Sequence, residues 1–122
     1  MIRQTLSEEQ ARAIMNTGDI PDALSRASSR VAVVLTQGWC PQWRAMDSYL
    51  SRMASRGSGE SADLTVFELE YDRLSFFPIF LDFKETRFNN YSVPYVRYYR
   101  DGKFVDASNY VSETGFFSLF GG

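Results

Sequence analysis

Cys40 is the only cysteine among the 122 residues, and the chain has no histidine. Those two counts remove whole classes of chemistry. A Ser–His–Asp triad or a Cys–His pair cannot be assembled. A zinc site of thiolates and imidazoles cannot be assembled either, because four-coordinate zinc needs several such ligands. No disulfide can form within the chain, so the fold does not depend on an oxidising compartment. What remains to Cys40 is lone-thiol chemistry. A single thiolate can attack a mixed disulfide, or can itself be capped by glutathione or another small thiol. The bland alternative stays open, since a free cysteine is often a small buried hydrophobe.

The residues around Cys40 say which elements would hold it. Val31-Ala32-Val33-Val34-Leu35 is a continuous apolar run rich in β-branched residues, suited to a strand buried on both faces. Gly38-Trp39-Cys40-Pro41 turns out of that strand. From Cys40 onward the period becomes helical, with Trp43, Met46, Leu50 and Met53 on one stripe and Arg44, Ser48 and Arg52 opposite. The expected stop is the loop Arg56-Gly57-Ser58-Gly59.

Other elements follow the same logic. Ser7 and Gln10 form a capping-box pattern ahead of Ala11, Ile14 and Met15, and Gly18 is a helix stop. A second helix start lies at Asp19, with Pro21 in its first turn and Ala23, Leu24 and Ala27 as its apolar face. Residues 1–30 therefore read as a helical segment preceding a core of residues 31–122, all within a single domain. Leu64–Tyr71 alternates as a strand, and Tyr95–Tyr99 is another, followed by the Asp101-Gly102 hairpin signal and a return strand from Lys103. Between them, Ser75–Asn90 is rich in aromatics, with Pro78 in the first turn of a helix carrying Phe80, Phe83, Arg87 and Phe88. A short last helix begins at Ser112, and Gly121-Gly122 reads as a frayed end. Strands alternating with helices imply an α/β fold in which helices cover both faces of a mixed sheet.

Three motifs in this order resemble the thioredoxin family. Trp39-Cys40-Pro41-Gln42-Trp43 follows a buried strand where thioredoxins carry a tryptophan, the nucleophilic cysteine, two residues and a resolving cysteine. Ser92-Val93-Pro94-Tyr95 is similar to the family's loop ending in a cis-proline opposite that cysteine. Tyr98-Tyr99-Arg100-Asp101-Gly102-Lys103 is similar to its hairpin. The resemblance covers Val31 to Val105 and implies a thioredoxin-like three-layer fold, a central mixed β-sheet flanked by helices on both faces.

Two departures bear on function. Trp43 occupies the resolving position, and Val34 stands where the family keeps a buried aspartate that assists the second thiol. Ordinary dithiol exchange is thereby closed to this chain. The resemblance places Cys40 at a helix N-terminus, where unpaired N–H groups and the macrodipole favour a thiolate. Cys-Pro order is shared with glutaredoxins, whose first cysteine can work alone with glutathione as the second thiol.

The candidate site is therefore Cys40 as nucleophile, with Trp39, Pro41, Val93 and Pro94 as the surface that meets a substrate. The backbone at Val93 is the edge expected to pair with an extended partner. Trp43 reads as core or as a lid over the thiol. Two functions stay open: monothiol exchange with an external thiol, and a binding or chaperone-like module in which Cys40 is inert. Glu68 and Arg97 are charges in neighbouring-looking strands, read as a buried pair, a cross-strand pair or a solvated edge. The phenylalanines of residues 76–88 are mainly core, with an excess that would serve a homodimer. The formal net charge of −2 without a basic stripe excludes a nucleic-acid tract. No metal and no cofactor is expected beyond a thiol co-substrate such as glutathione. No run spans a bilayer and Met1–Thr5 lacks a signal-peptide core, so a cytoplasmic location, away from any membrane, is the expectation.

Overall fold

The apolar run after Arg30 becomes the middle of the sheet. The computed structural model describes residues 1–56, 59 and 61–121. Strand β2 (Arg30–Thr36) has β3 (Leu64–Glu70) parallel on one side and β4 (Tyr95–Arg100) antiparallel on the other. A fourth strand, β1 (Ile2–Thr5), extends the sheet parallel to β3, and β5 (Lys103–Ser108) closes the other edge against β4. The order β1-β3-β2-β4-β5 is a mixed five-stranded sheet.

Alternation along β2 divides two cores. Val31, Val33 and Leu35 face a cluster with Ala11 and Ile14 of α1 (Glu8–Thr17), Leu24 of α2 (Asp22–Ser25) and Phe80 of α4 (Phe77–Arg87). Ala32 and Val34 face a cluster with Met46, Leu50 and Met53 of α3 (Pro41–Arg56) and Phe116 of α5 (Glu113–Ser118). Helices on both faces of a mixed sheet make three layers, the architecture expected from the sequence.

Local chemistry explains the element ends. Ser7 and Gln10 form the reciprocal capping box of α1, and Gly18 ends that helix at φ 76°, a left-handed conformation that suits glycine. Asp101 (φ 52°) and Gly102 (φ 80°) form a two-residue turn with both residues left-handed, matching the twist of the β4–β5 hairpin. Residues 57 and 58 of the expected loop after α3, and Gly122 of the expected frayed end, lie outside the described residues.

Two expectations need correction. Residues 1–30 are not simply helical, because Ile2–Thr5 is a strand of the sheet. Glu68 and Arg97 do not pair. Val34 lies opposite Glu68, whereas Val33 lies opposite Arg97, so β2 separates them and their side chains leave opposite faces. Glu68 instead bonds Arg3 of β1, whose guanidinium also reaches Asp47 of α3 at 2.6 Å, tying the edge strand to the helix above it. Arg97 takes Asp19 at 3.1 Å and the hydroxyls of Tyr95 and Tyr99, both at 2.9 Å. Its guanidinium carbon also lies 4.4 Å from the ring centre of Phe88 and 4.2 Å from that of Phe104.

Candidate functional site at Cys40 and the Val93 loop

Cys40 sits where β2 hands over to α3. Its N–H donates to the Gln37 carbonyl at 3.2 Å, closing the turn, and its own carbonyl accepts from Arg44 at 3.1 Å, the first bond of the helix. Pro41 opens α3, a position where its missing N–H costs nothing. The side chain is 4% exposed and belongs to the α3-side core with Trp43 and Val96. The sulfur lies 3.6 Å from the Val93 carbonyl, to which the thiol donates. The Val93–Pro94 peptide bond is cis.

The structure brings some of the predicted residues together at the surface and not others. Trp39 is 58% exposed, with its indole N–H donating to Gln37 at 2.6 Å, and Pro41 is exposed beside it. Val93 is half-buried. Pro94 is buried, so it shapes the loop from below and presents no surface of its own. The turn carrying Trp39 is braced by Gly38 N–H donating to the Asp72 carboxylate at 3.0 Å.

Trp43 is core. It is buried against Cys40 and Met46, and its indole N–H donates to the Glu70 carboxylate at 2.8 Å, which also holds Arg73 at 2.9 Å. Beyond it, at the carboxyl ends of β1 and β3, is a cleft of about 430 Å³ lined by Trp43, Glu68, Glu70 and Arg73 among others. Burial pushes the Glu68 carboxyl up, against the pull of Arg3. Val34, at the position of the family's acid, is fully buried in the same cluster as Cys40 and supplies no proton donor. Thr36, also fully buried, has a hydroxyl without a hydrogen-bond partner among the described residues.

Sequence reasoning missed the residues that hold the Val93 loop from behind. Lys84 of α4 is 1% exposed, and its ammonium donates to the Ser92 carbonyl at 2.6 Å and to Asn90 Oδ1 at 3.0 Å. Asn109, following β5, donates to the Ser92 carbonyl at 3.2 Å and to the Pro94 carbonyl at 2.9 Å. The two asparagine side chains also bond each other at 3.0 Å. Burial pushes the Lys84 pKa down to about 8. One signal was available: Phe80, Lys84 and Phe88 are spaced by four, so Lys84 lies on the stripe that faces the sheet. Sequence reasoning also missed two exposed aromatics, Tyr91 and Tyr110, each adjacent in sequence to a residue of this network.

No protein-family model matches the sequence, and no curated protein sequence matches it. Solved structures do. Trxlp from Edwardsiella tarda is 17% identical with a TM-score of 0.61, over 97% of this chain and 97% of that one. Oxidised thioredoxin O1 from Arabidopsis thaliana is 16% identical with a TM-score of 0.65, over 98% and 95%. Thioredoxin from Fasciola hepatica is 14% identical with a TM-score of 0.60, over 98% and 96%. The chain has the thioredoxin fold, carried with one cysteine. Among the described residues, no group of three or more potential ligands could hold a metal ion, and no helix is long and apolar enough to cross a membrane.

Proposed function

We propose that the surface formed by Trp39, Pro41 and the Val93 loop binds an extended segment of a partner protein, and that Cys40 exchanges with a disulfide presented there. The observation that carries this reading is the Cys40 sulfur 3.6 Å from the carbonyl of Val93, on a stretch of backbone outside the sheet ladder. Among the described residues the Val93 N–H has no hydrogen-bond partner and its carbonyl accepts only the weak thiol bond. An incoming strand would find both a donor and an acceptor.

The chemistry is monothiol. The Cys40 thiolate attacks one sulfur of the disulfide, a Cys40 mixed disulfide forms, and the other sulfur leaves as a thiolate. With Trp43 at the resolving position, an external thiol such as glutathione then attacks the mixed disulfide. That step returns Cys40 and carries away the bound group as a new disulfide.

A second reading has its own support. The thiol is nearly inaccessible in the resting protein, which favours a module that binds through Trp39 and Val93 with Cys40 as packing.

Oxidised glutathione and a peptide carrying one glutathionylated cysteine separate the two readings. The exchange reading expects a Cys40 mixed disulfide by mass spectrometry, its clearance by reduced glutathione, and loss of both in Cys40→Ser. A wild-type protein that forms no adduct with either probe overturns the exchange reading, and peptide binding that survives Cys40→Ser unchanged leaves the binding module.

A further inference from the structure

A buried ammonium without an anionic partner is an expensive thing to keep. Lys84 is fully enclosed, yet among the described residues both its hydrogen bonds go to neutral oxygens, the Ser92 carbonyl and the Asn90 side chain. The charged group that bears on it is Glu85 of its own helix, and the Tyr95 ring centre lies 5.5 Å away. Burial of a cation in such surroundings costs stability, and an apolar side chain of similar shape would avoid the cost. The neighbouring oxygens do not need Lys84 to be satisfied. The Ser92 carbonyl also accepts from Asn109, and Asn90 Oδ1 also accepts from Asn109 and from the Ser92 N–H at 3.2 Å. Stability therefore does not explain this lysine.

Its position does. The bond at 2.6 Å grips the carbonyl of the residue immediately before Val93, and Asn109 grips the carbonyls on both sides of it, at Ser92 and Pro94. Two elements, α4 and the segment after β5, thus clamp three consecutive residues opposite the Cys40 sulfur. We infer that Lys84, with Asn90 and Asn109, is a positioning group that fixes the Val93 backbone in the orientation needed to receive an extended partner. The inference rests on the proposed binding role of that backbone. It extends the role to residues outside the contact surface. Lys84 touches neither Cys40 nor a partner, and acts through the loop.

The test is Lys84→Met in the full chain, read three ways. The urea unfolding midpoint should stay the same or rise. The Ser92 amide hydrogen, bonded to the Asn90 side chain that Lys84 holds, should exchange with deuterium at least tenfold faster, while those of β2 and β3 stay unchanged. The rate of Cys40 mixed-disulfide formation with the glutathionylated peptide should fall about tenfold, while iodoacetamide, which needs no backbone pairing, should react at least as fast as before. Asn109→Ala should loosen the same amide by releasing the other side of the clamp. A markedly lower unfolding midpoint in Lys84→Met, or a Ser92 amide that does not move in either variant, overturns the assignment. The exchange measurement needs no partner. A wild-type protein inert toward the peptide would therefore sink the proposed function while leaving the clamp to be judged on the Ser92 amide.

Discussion

Replacing the residue at the resolving position tests both the core and the site. Trp43→Cys removes a buried indole from the α3-side cluster, and truncating a buried tryptophan to a small side chain costs about 3–5 kcal/mol. The lost indole N–H leaves the Glu70 carboxylate with Arg73 at 2.9 Å and an open cleft, so that group adds only toward the lower end of about 1–3 kcal/mol. The sum is about 4–6 kcal/mol, a large share of the stability of a domain this size. At roughly 3–6 °C per kcal/mol it should lower Tm by about 20 °C under reducing conditions. The variant also places a second thiol three residues after Cys40. Side chains three apart on a helix lie about 5–6 Å apart at Cβ. Because α3 begins only at Pro41, the cap position of Cys40 has freedom to close the gap to about 4 Å. Oxidation should then give an intramolecular disulfide and restore about 2 kcal/mol, the chain-entropy value for so short a ring. Thermal unfolding by circular dichroism, with and without reductant, and mass spectrometry of the oxidised form provide the readouts. A reduced variant that loses under about 1 kcal/mol would refute the placement of Trp43 as a core wedge. Failure of the two thiols to join would refute the geometry assigned to Cys40.

Two further outcomes can be stated briefly. Arg97→Met should destabilise by about 3 kcal/mol, since it forfeits charge-assisted bonds to Asp19, Tyr95 and Tyr99 and strands the Tyr95 hydroxyl in the core; a shift in the urea midpoint worth less than about 1 kcal/mol would contradict this. At low pH, Asp63 should be the visible carboxylate. Hydrogen bonds from Arg30 and Ser29 hold it down to about 2, below the 3.8 of the free side chain, so its stabilising contribution is complete above about pH 4 and is lost as pH falls through about 2. Asp19 follows the same sign: burial raises its pKa, but the bonds from Tyr99 and the Ile20 N–H and the charge of Arg97 outweigh it. Urea midpoints measured from pH 5 to pH 2 should fall less steeply in Asp63→Asn than in wild type; parallel slopes would remove Asp63 from the account.

What was legible in the sequence was local. The Ser7–Gln10 box, the Trp43–Met46–Leu50–Met53 stripe and the Asp101-Gly102 turn each encode their element within a few residues, and each element formed there. The central strand was legible because burial on both faces leaves an unbroken apolar run. Strand β1 was not. At a sheet edge with Ile2 largely exposed, Ile-Arg-Gln-Thr has no apolar pattern to reveal it, and its anchor is Arg3 reaching Glu68, 65 residues away. The Arg97–Asp19 contact spans 78 residues and depends on which face each strand residue takes, which a register read without the sheet order cannot give. At the site, Cys40, Trp39 and Val93 were visible as motif residues. Lys84, Asn90 and Asn109 were not, because polar residues on a helix and in loops look solvated until the chain closes over them.

The two tryptophans occupy opposite surroundings, Trp39 open to solvent beside the thiol and Trp43 sealed in the core against a carboxylate. The protein therefore carries two intrinsic fluorophores that report separately. Iodide should quench Trp39 and spare Trp43, so that the quenchable fraction of the emission becomes a label-free gauge of whether the surface beside Cys40 is covered. The unquenched fraction serves as an internal reference that moves only when α3 comes away from the sheet.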